Sequence, residues 1–476
     1  MTGVRVAATS RSLRNVQQLA SHANLSQDVL RCPAPPLRSR RGHLDAIVVP
    51  ASRPASFLQP AVELAAFLGA LLVVLCSKQT KIEQVARRVA RTPGARALIV
   101  AIPEIWQHAG FPTRTSAEEF QTASANRMSD LSTKRNLGLL LARLRGWNKI
   151  AFVDDDVTLS QTDNIARLAG QLDDHQVAGM IVRRFPDNSV VCHARRLAGL
   201  QQDVFLTGAV LGVHCNNLPL SFFPDIYNED WFFFADEAAA RRLPRVGNAT
   251  QAEYDPFATA DRARHEEFGD LLAEGLYAFI GQDPTVSFDE QLRGATSAYW
   301  SRFIAARAEV ITEARTTLSR FADPDENGYA SAALDSLAAS ANQLGNITAD
   351  RCLNFLAAWR ADRNDWQKFS TSVNNVGSTR EAMDFLQLKT WTLTEFGDDV
   401  DSKAAGIDRI TVPSPAHDSS NRRTPNRSRR SNRPNAGRKI PGRLKTEGLI
   451  SALCIVIALQ HPQQEISYAC LPFALG

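Results

Sequence analysis

Three consecutive aspartates, Asp154, Asp155 and Asp156, follow the apolar run Ile150, Ala151, Phe152, Val153 in the segment KIAFVDDDVTLS. A short apolar run between polar neighbours suits a buried strand. Acids at its carboxyl end stand where open α/β sheets bind ligands. Like charges this close repel, and a bound cation is the simplest way to keep them ionised. Carboxylate oxygens suit Mg²⁺ or Mn²⁺, which bridge to phosphates. Alternate residues of a strand share a face, so Asp154 and Asp156 are expected to converge while Asp155 points elsewhere. The bland alternative is a solvated acidic turn.

The elements that must position this triplet are legible around it. HLDAIVVP (43–50), LLVVLCS (71–77) and ARALIVAIP (95–103) read as strands, separated by helical spacing at 57–70 and 81–92. A loop spans 104–129, and a helix at 132–147 leads into the aspartate strand. Strands alternating with helices imply βαβ units and a parallel sheet. Beyond the aspartates, TDNIARLAGQL reads as a helix, and QVAGMIVRRF and NSVVCHARRLAG as two strands. His193 and His214 fall in apolar, strand-like runs and read as structural histidines.

The fold class expected is α/β, a mixed Rossmann-like sheet flanked by helices, at 43–283. A disordered leader precedes it at 1–42. An Ala-rich, all-helical domain is expected at 284–397, then a disordered basic linker at 398–447 and a short apolar tail at 448–476. The 476 residues suffice for two or three domains, and 44% hydrophobic with 22% charged residues is ordinary for a globular protein. The net charge of +4 hides an imbalance: residues 415–445 hold ten Lys/Arg and one acid, leaving the remainder at about −5. Seven scattered cysteines without C-x-x-C spacing argue against a disulfide framework or zinc site and for a reducing cytoplasm. The apolar stretch at 448–459 is too short to span a membrane. The expected location is cytoplasmic, with peripheral attachment to an anionic membrane surface through the basic tail. That tail lacks interleaved aromatics, so no specific nucleic acid is expected.

KRNLGLLLARLRGWNKIAFVDDDV and the later YNEDWFFF resemble the GT-A glycosyltransferases, within them the inverting family 2 type. The resemblance covers residues 43–281, about half the chain. It implies a nucleotide-sugar donor, a Mn²⁺ or Mg²⁺ cofactor and transfer with inversion to an acceptor hydroxyl on a glycan, a lipid-linked sugar or a small molecule. It places Asp154 at the nucleotide ribose or the metal, Asp156 at the metal and Asp155 at the donor. His265 becomes the third metal ligand. Lys134, Arg135 and Asn136 fall beside the base and diphosphate, where cations and helix-start amides suit phosphate. Pro50, Ser52 and Arg53 fall where relatives hold the nucleotide, and Thr207–Gly208 in the loop approaching the donor sugar. Asp230 takes the role of general base, and Glu229 binds the acceptor beside it. Tyr227 and Trp231 offer flat faces to sugar rings. One departure is Cys76-Ser77-Lys78, which replaces the acid-bearing turn that usually follows the second strand.

Two competing functions are a sugar-phosphate nucleotidyltransferase and a non-catalytic binding protein with a basic tail. The first wants a Gly-rich phosphate loop after the first strand, and PASRP has no glycine.

Overall fold

Four apolar runs form the centre of one sheet: β1 (Ala46–Ala51), β2 (Leu71–Cys76), β3 (Arg96–Ala101) and β4 (Lys149–Val153). β1 pairs in parallel with both β2 and β4, and β2 with β3. All six β1 residues are buried, as expected of a parallel strand covered on both faces. The computed structural model describes residues 40–183, 185–186, 188–200, 205–216, 219–280, 286–321 and 328–400. The expected leader up to 39 and the tail from 401 onward lie outside these residues.

The first half supplies helices α1 (Gln59–Leu68), α2 (Ile82–Arg91), α3 (Glu118–Ala123) and α4 (Leu131–Arg145). After β4 come β5 (Val157–Thr158), α5 (Asp163–Gln171), β6 (Val177–Val182), α6 (Val190–Leu197), β7 (Leu206–His214), α7 (Glu229–Phe233), α8 (Ala235–Ala239) and β8 (Arg245–Gln251). The remaining elements are α9 (Ala260–Phe279), α10 (Phe288–Gly294), α11 (Ser297–Phe321), α12 (Tyr329–Leu344), α13 (Ala349–Ser372), α14 (Thr379–Phe385) and β9 (Trp391–Glu395). Among the described residues the sheet has nine strands in the order β5-β8-β6-β7-β4-β1-β2-β3-β9, with β7 and β9 antiparallel to their neighbours β4 and β3.

Strand alternation sorts the apolar residues into two cores. Ile47, Val49, Val74 and Ala151 face α1, α2 and α5. Val48, Val73, Leu75 and Phe152 face α4 and, in the same cluster, Phe232, Leu271, Trp300, Leu337 and Trp359 from helices α7 to α13. Truncating a fully buried Trp such as Trp300 or Trp359 costs about 3–5 kcal/mol.

Four expectations change here. NSVVCHARRLAG contains a helix, not a strand: Ser189 caps α6 by accepting from the Cys192 amide, and Val190, Val191, Cys192 and Ala194 are all buried. Burial on most sides erased the periodicity that separates the two elements. β8 was unexpected because Gly247 and Asn248 interrupt its apolar pattern. The stretch 284–397 is not all helical, since β9 extends the sheet, and its helices share a core with the sheet. The 104–129 loop contains a 3-10 turn at Arg114–Ser116 and α3, held from the far side by the buried Asp362 of α13. Its carboxylate accepts from the Thr115 amide at 2.8 Å and from the Thr115 hydroxyl at 2.9 Å. Among the described residues no helix is long and apolar enough to cross a membrane.

Candidate functional site

The carboxyl ends of β1 and β4, the first turn of α4, the start of β7, the turn before α7, the end of β8 and the start of α9 meet at one cavity of about 250 Å³. Of the expected residues, Pro50, Ser52, Arg53, Lys134, Arg135, Asp154, Asp155, Asp156, Thr207, Glu229 and Asp230 line it. A larger cavity, about 420 Å³, lies behind the 52–54 loop against Arg87, Arg88 and Arg91. It gathers none of these residues, and its lining has no carboxylate to ligate a cation, so the smaller cavity is the candidate site.

The triplet does not keep strand alternation. β4 stops at Val153 and the chain turns, so all three aspartates reach the cavity wall, Asp155 included. Asp155 shapes the wall: its Oδ2 accepts from the amides of Ser52 at 2.7 Å and Arg53 at 2.9 Å. The Arg53 guanidinium bonds Asp155 and lies 2.8 Å from Asp156 Oδ2, yet the Arg53 side chain stays 40% exposed. Asp154 faces Arg135, whose Nη2 lies 3.0 and 3.2 Å from its two oxygens.

Arg135 is the strut of the site. Its Nη1 donates to Glu229 Oε1 at 2.5 Å while Nη2 holds Asp154, so one buried guanidinium joins the aspartate turn to the Glu229–Asp230 pair. Gly208 lets it pass, because a Cβ there would lie 2.5 Å from Arg135 Nη1. The Gly208 amide donates to Asp230 Oδ2, and the Trp231 amide donates to Asp230 Oδ1 at 2.9 Å. The two amide donors fix the direction of the carboxylate.

Lys134 differs from a solvated phosphate binder. It is 1% exposed, and its ammonium donates to Ala51 O at 2.8 Å and Ser77 Oγ at 2.7 Å and pairs with Asp130 at 3.1 Å. Those partners take its three donors, so it pegs the ends of β1 and β2 to α4. Burial lowers its pKa, opposed by Asp130. Asn136 lies outside the cavity lining and holds Phe223 by a two-way amide pair at 2.8 and 2.9 Å. Tyr227 lines the cavity, whereas Trp231 packs on Tyr277 and Phe205.

His265 is partly exposed on α9 and does not line the cavity. Gln251, at the end of β8, stands beside the aspartates instead, its Nε2 donating to Asp156 Oδ2 at 3.2 Å. Asp156 Oδ1 and Gln251 Oε1 are both buried and have no hydrogen-bond partner. Burial pushes the Asp156 carboxyl up to about 6, against the pull of Arg53, and burial raises Asp154 as well, against Arg135. Two unpartnered buried oxygens beside a carboxylate turn fit a hard divalent cation, which takes oxygen ligands. Among the described residues, the His, Cys, Asp or Glu ligand atoms that converge within 4.8 Å belong to Cys192, Asp270 and Glu274. There Arg307 already holds both carboxylates.

The cavity also includes Lys78, named above only as a departure from the family pattern, and residues absent from the sequence reading, among them Arg127, Asp130, Gln251, Tyr254 and Arg262. Arg262 lies over the Tyr254 ring at 4.2 Å and donates to Glu266 at 2.7 Å. The only local signal for Gln251 was its place at a strand end, and that strand was hidden. His193 is buried on α6, 3.4 Å from the Tyr254 hydroxyl, and burial pushes its pKa down to about 3.

No protein-family model matches the chain, and no curated protein matches it. Among solved structures, a mannosyltransferase from Pyrobaculum calidifontis, PcManGT in complex with GDP-Man and Mn²⁺, is similar at a TM-score of 0.32 and 12% identity. That alignment covers 77% of this chain and 96% of the other.

Proposed function

We propose that the chain is a divalent-cation-dependent glycosyltransferase that moves a hexose from a nucleotide-sugar donor to an acceptor hydroxyl, with inversion. The observation that carries this reading is the pairing of two carboxylate groups across one cavity. Asp156 Oδ1 and its neighbour Gln251 Oε1 are buried and unpartnered beside the aspartate turn, and Asp230, held by two backbone amides, lines the same cavity.

Each residue then has a part. Asp154, Asp156 and Gln251 would hold Mg²⁺ or Mn²⁺, which when bound supplies charge neutralisation to a leaving diphosphate. Arg53, partly exposed in the cavity lining, is a cation able to meet that diphosphate, and the Ser52 loop is set by Asp155. The acceptor oxygen attacks the anomeric carbon as Asp230 takes its proton, and the nucleoside diphosphate leaves with the electrons of the broken C–O bond. Glu229 is positioned by Arg135 beside that base. Attack from the face opposite the leaving group inverts the anomeric centre.

The test is transfer from a panel of UDP-, GDP-, ADP- and TDP-sugars with Mn²⁺ or Mg²⁺, followed by NMR of the product's anomeric proton. Cation-dependent transfer with inversion is expected. Full activity in excess EDTA, or retained configuration, overturns the reading.

A further inference from the structure

α9 buries carboxylates where a packed helix ordinarily presents leucine. Glu267, Asp270 and Glu274 stand three and four residues apart and so share one side of the helix. Arg307 of α11 answers all three: Nε to Glu267 Oε1 at 3.0 Å, Nη2 to Asp270 Oδ2 at 2.6 Å and Nη1 to Glu274 Oε2 at 2.8 Å. The Ser340 hydroxyl of α12 also donates to Glu267. Apolar residues of similar volume often match or exceed the stability of such a buried ionic cluster. Stability is therefore a weak reason for it.

Its second connection points toward the cavity. Asp270 Oδ1 accepts from the Asn228 side-chain amide at 3.0 Å. Asn228 immediately precedes Glu229–Asp230 and stands at φ 62, a left-handed conformation uncommon outside glycine. The same turn lies against α9, because a Cβ on Gly269 would meet the Tyr227 carbonyl oxygen at 2.2 Å. At the residue after Asp230, the Tyr277 hydroxyl donates to Trp231 O at 2.8 Å.

We infer that Asp270, itself set by Arg307, is a positioning residue for the Glu229–Asp230 pair: its bond from Asn228 holds the turn in the left-handed conformation that aims Asp230 into the cavity. This rests on the proposed role of Asp230 as base. It gives the helices after residue 283 a function, which is to brace the reacting side of the site from behind. Asp270 touches no substrate; it acts through Asn228.

Variants of the full chain separate this role from folding. Asn228→Gly keeps the left-handed backbone without strain and removes only the tether. It should lower kcat roughly 10–100-fold, the cost of a small misplacement of a reacting group, with donor affinity within about threefold on that same ground. Backbone amides at 229–233 should exchange with deuterium faster. Asn228→Asp sets a carboxylate against Asp270 and should do at least as much harm. Combining Asn228→Asp with Asp270→Asn again opposes a donor to an acceptor, and should recover both rate and exchange protection. Wild-type kcat in Asn228→Gly, or a double variant no better than Asn228→Asp alone, overturns the inference. If the wild-type protein transfers no sugar at all, the reading of Asp230 falls. Exchange at 229–233 then still decides the brace: protection lost in Asn228→Gly and restored in the double variant supports it, and unchanged protection removes it.

Discussion

Two carboxylate clusters in this molecule look alike on paper. Asp154, Asp155 and Asp156 follow β4, and Glu267, Asp270 and Glu274 line α9; each trio is met by arginine. In the α9 trio a single guanidinium reaches every acid, and the side chains are 0–6% exposed. In the β4 trio two arginines divide the acids, one of them 40% exposed, and Asp156 Oδ1 with its neighbour Gln251 Oε1 is left unpartnered at a cavity wall. The difference lies in completion. A sealed and fully paired cluster can only hold elements together, while an incomplete one beside a cavity can take a ligand.

That comparison breaks most directly at Asp156. Asp156→Ala should cut transfer by at least about 10³-fold, since a cation's charge stabilisation is worth several kcal/mol. It should leave stability unchanged or raised, because it removes a carboxyl that burial already disfavours. Steady-state rates beside a denaturation midpoint decide it, and a large drop in midpoint would make the β4 trio a brace as well.

Asp230→Asn comes next. Loss of a positioned base costs about 10²–10⁴-fold in rate, and calorimetry should show donor affinity retained. Loss of donor binding instead would move Asp230 to the cation side of the cavity.

On the sealed trio the effect should appear as stability. Arg307→Ala leaves three buried acids uncompensated and should cost about 3–5 kcal/mol in urea unfolding. Arg53→Ala removes a guanidinium that is 40% exposed from two buried acids and should cost less than Arg307→Ala. Equal losses would erase the distinction between the clusters.

Glu237, a carboxyl with no salt bridge among the described residues, sharpens the scale. Burial, then the neighbouring Asp236, pushes Glu237 up to about 7. Its folded pKa exceeds the unfolded value, so its contribution is present below about 4.5 and is lost as pH rises through about 7. Glu237→Gln should therefore be neutral at acid pH and stabilising by about 1–3 kcal/mol at pH 8. A variant no more stable than wild type at pH 8 would show that Glu237 is ionised there at no cost.

Short-range pattern carried the first half of the fold. The apolar runs of β1 to β4 and the helical spacing between them are properties of neighbouring residues, and the elements form where those patterns stand. The same reasoning failed at α6 and β8, where burial on most sides or a Gly-Asn break removed the period. Most of the residues chosen for chemistry line one cavity, because strand ends and helix starts of an α/β sheet meet at one edge. Their partners were not legible. The resemblance places Lys134 and Arg135 beside the base and diphosphate; both line the cavity, and their bonds to Ala51, Ser77, Asp154 and Glu229 had no local signal.

The sequence by itself determined the strand–helix alternation and the acids placed at the sheet's carboxyl edge, because both follow from local apolar periodicity. Only the tertiary structure decided which acids keep an unpartnered oxygen and which are sealed. Arg135 finds Glu229 94 residues away, and Arg307 finds Asp270 37 residues away. Pairs so distant are selected by burial: a charge removed from water must find its counter-charge wherever the packed chain brings one.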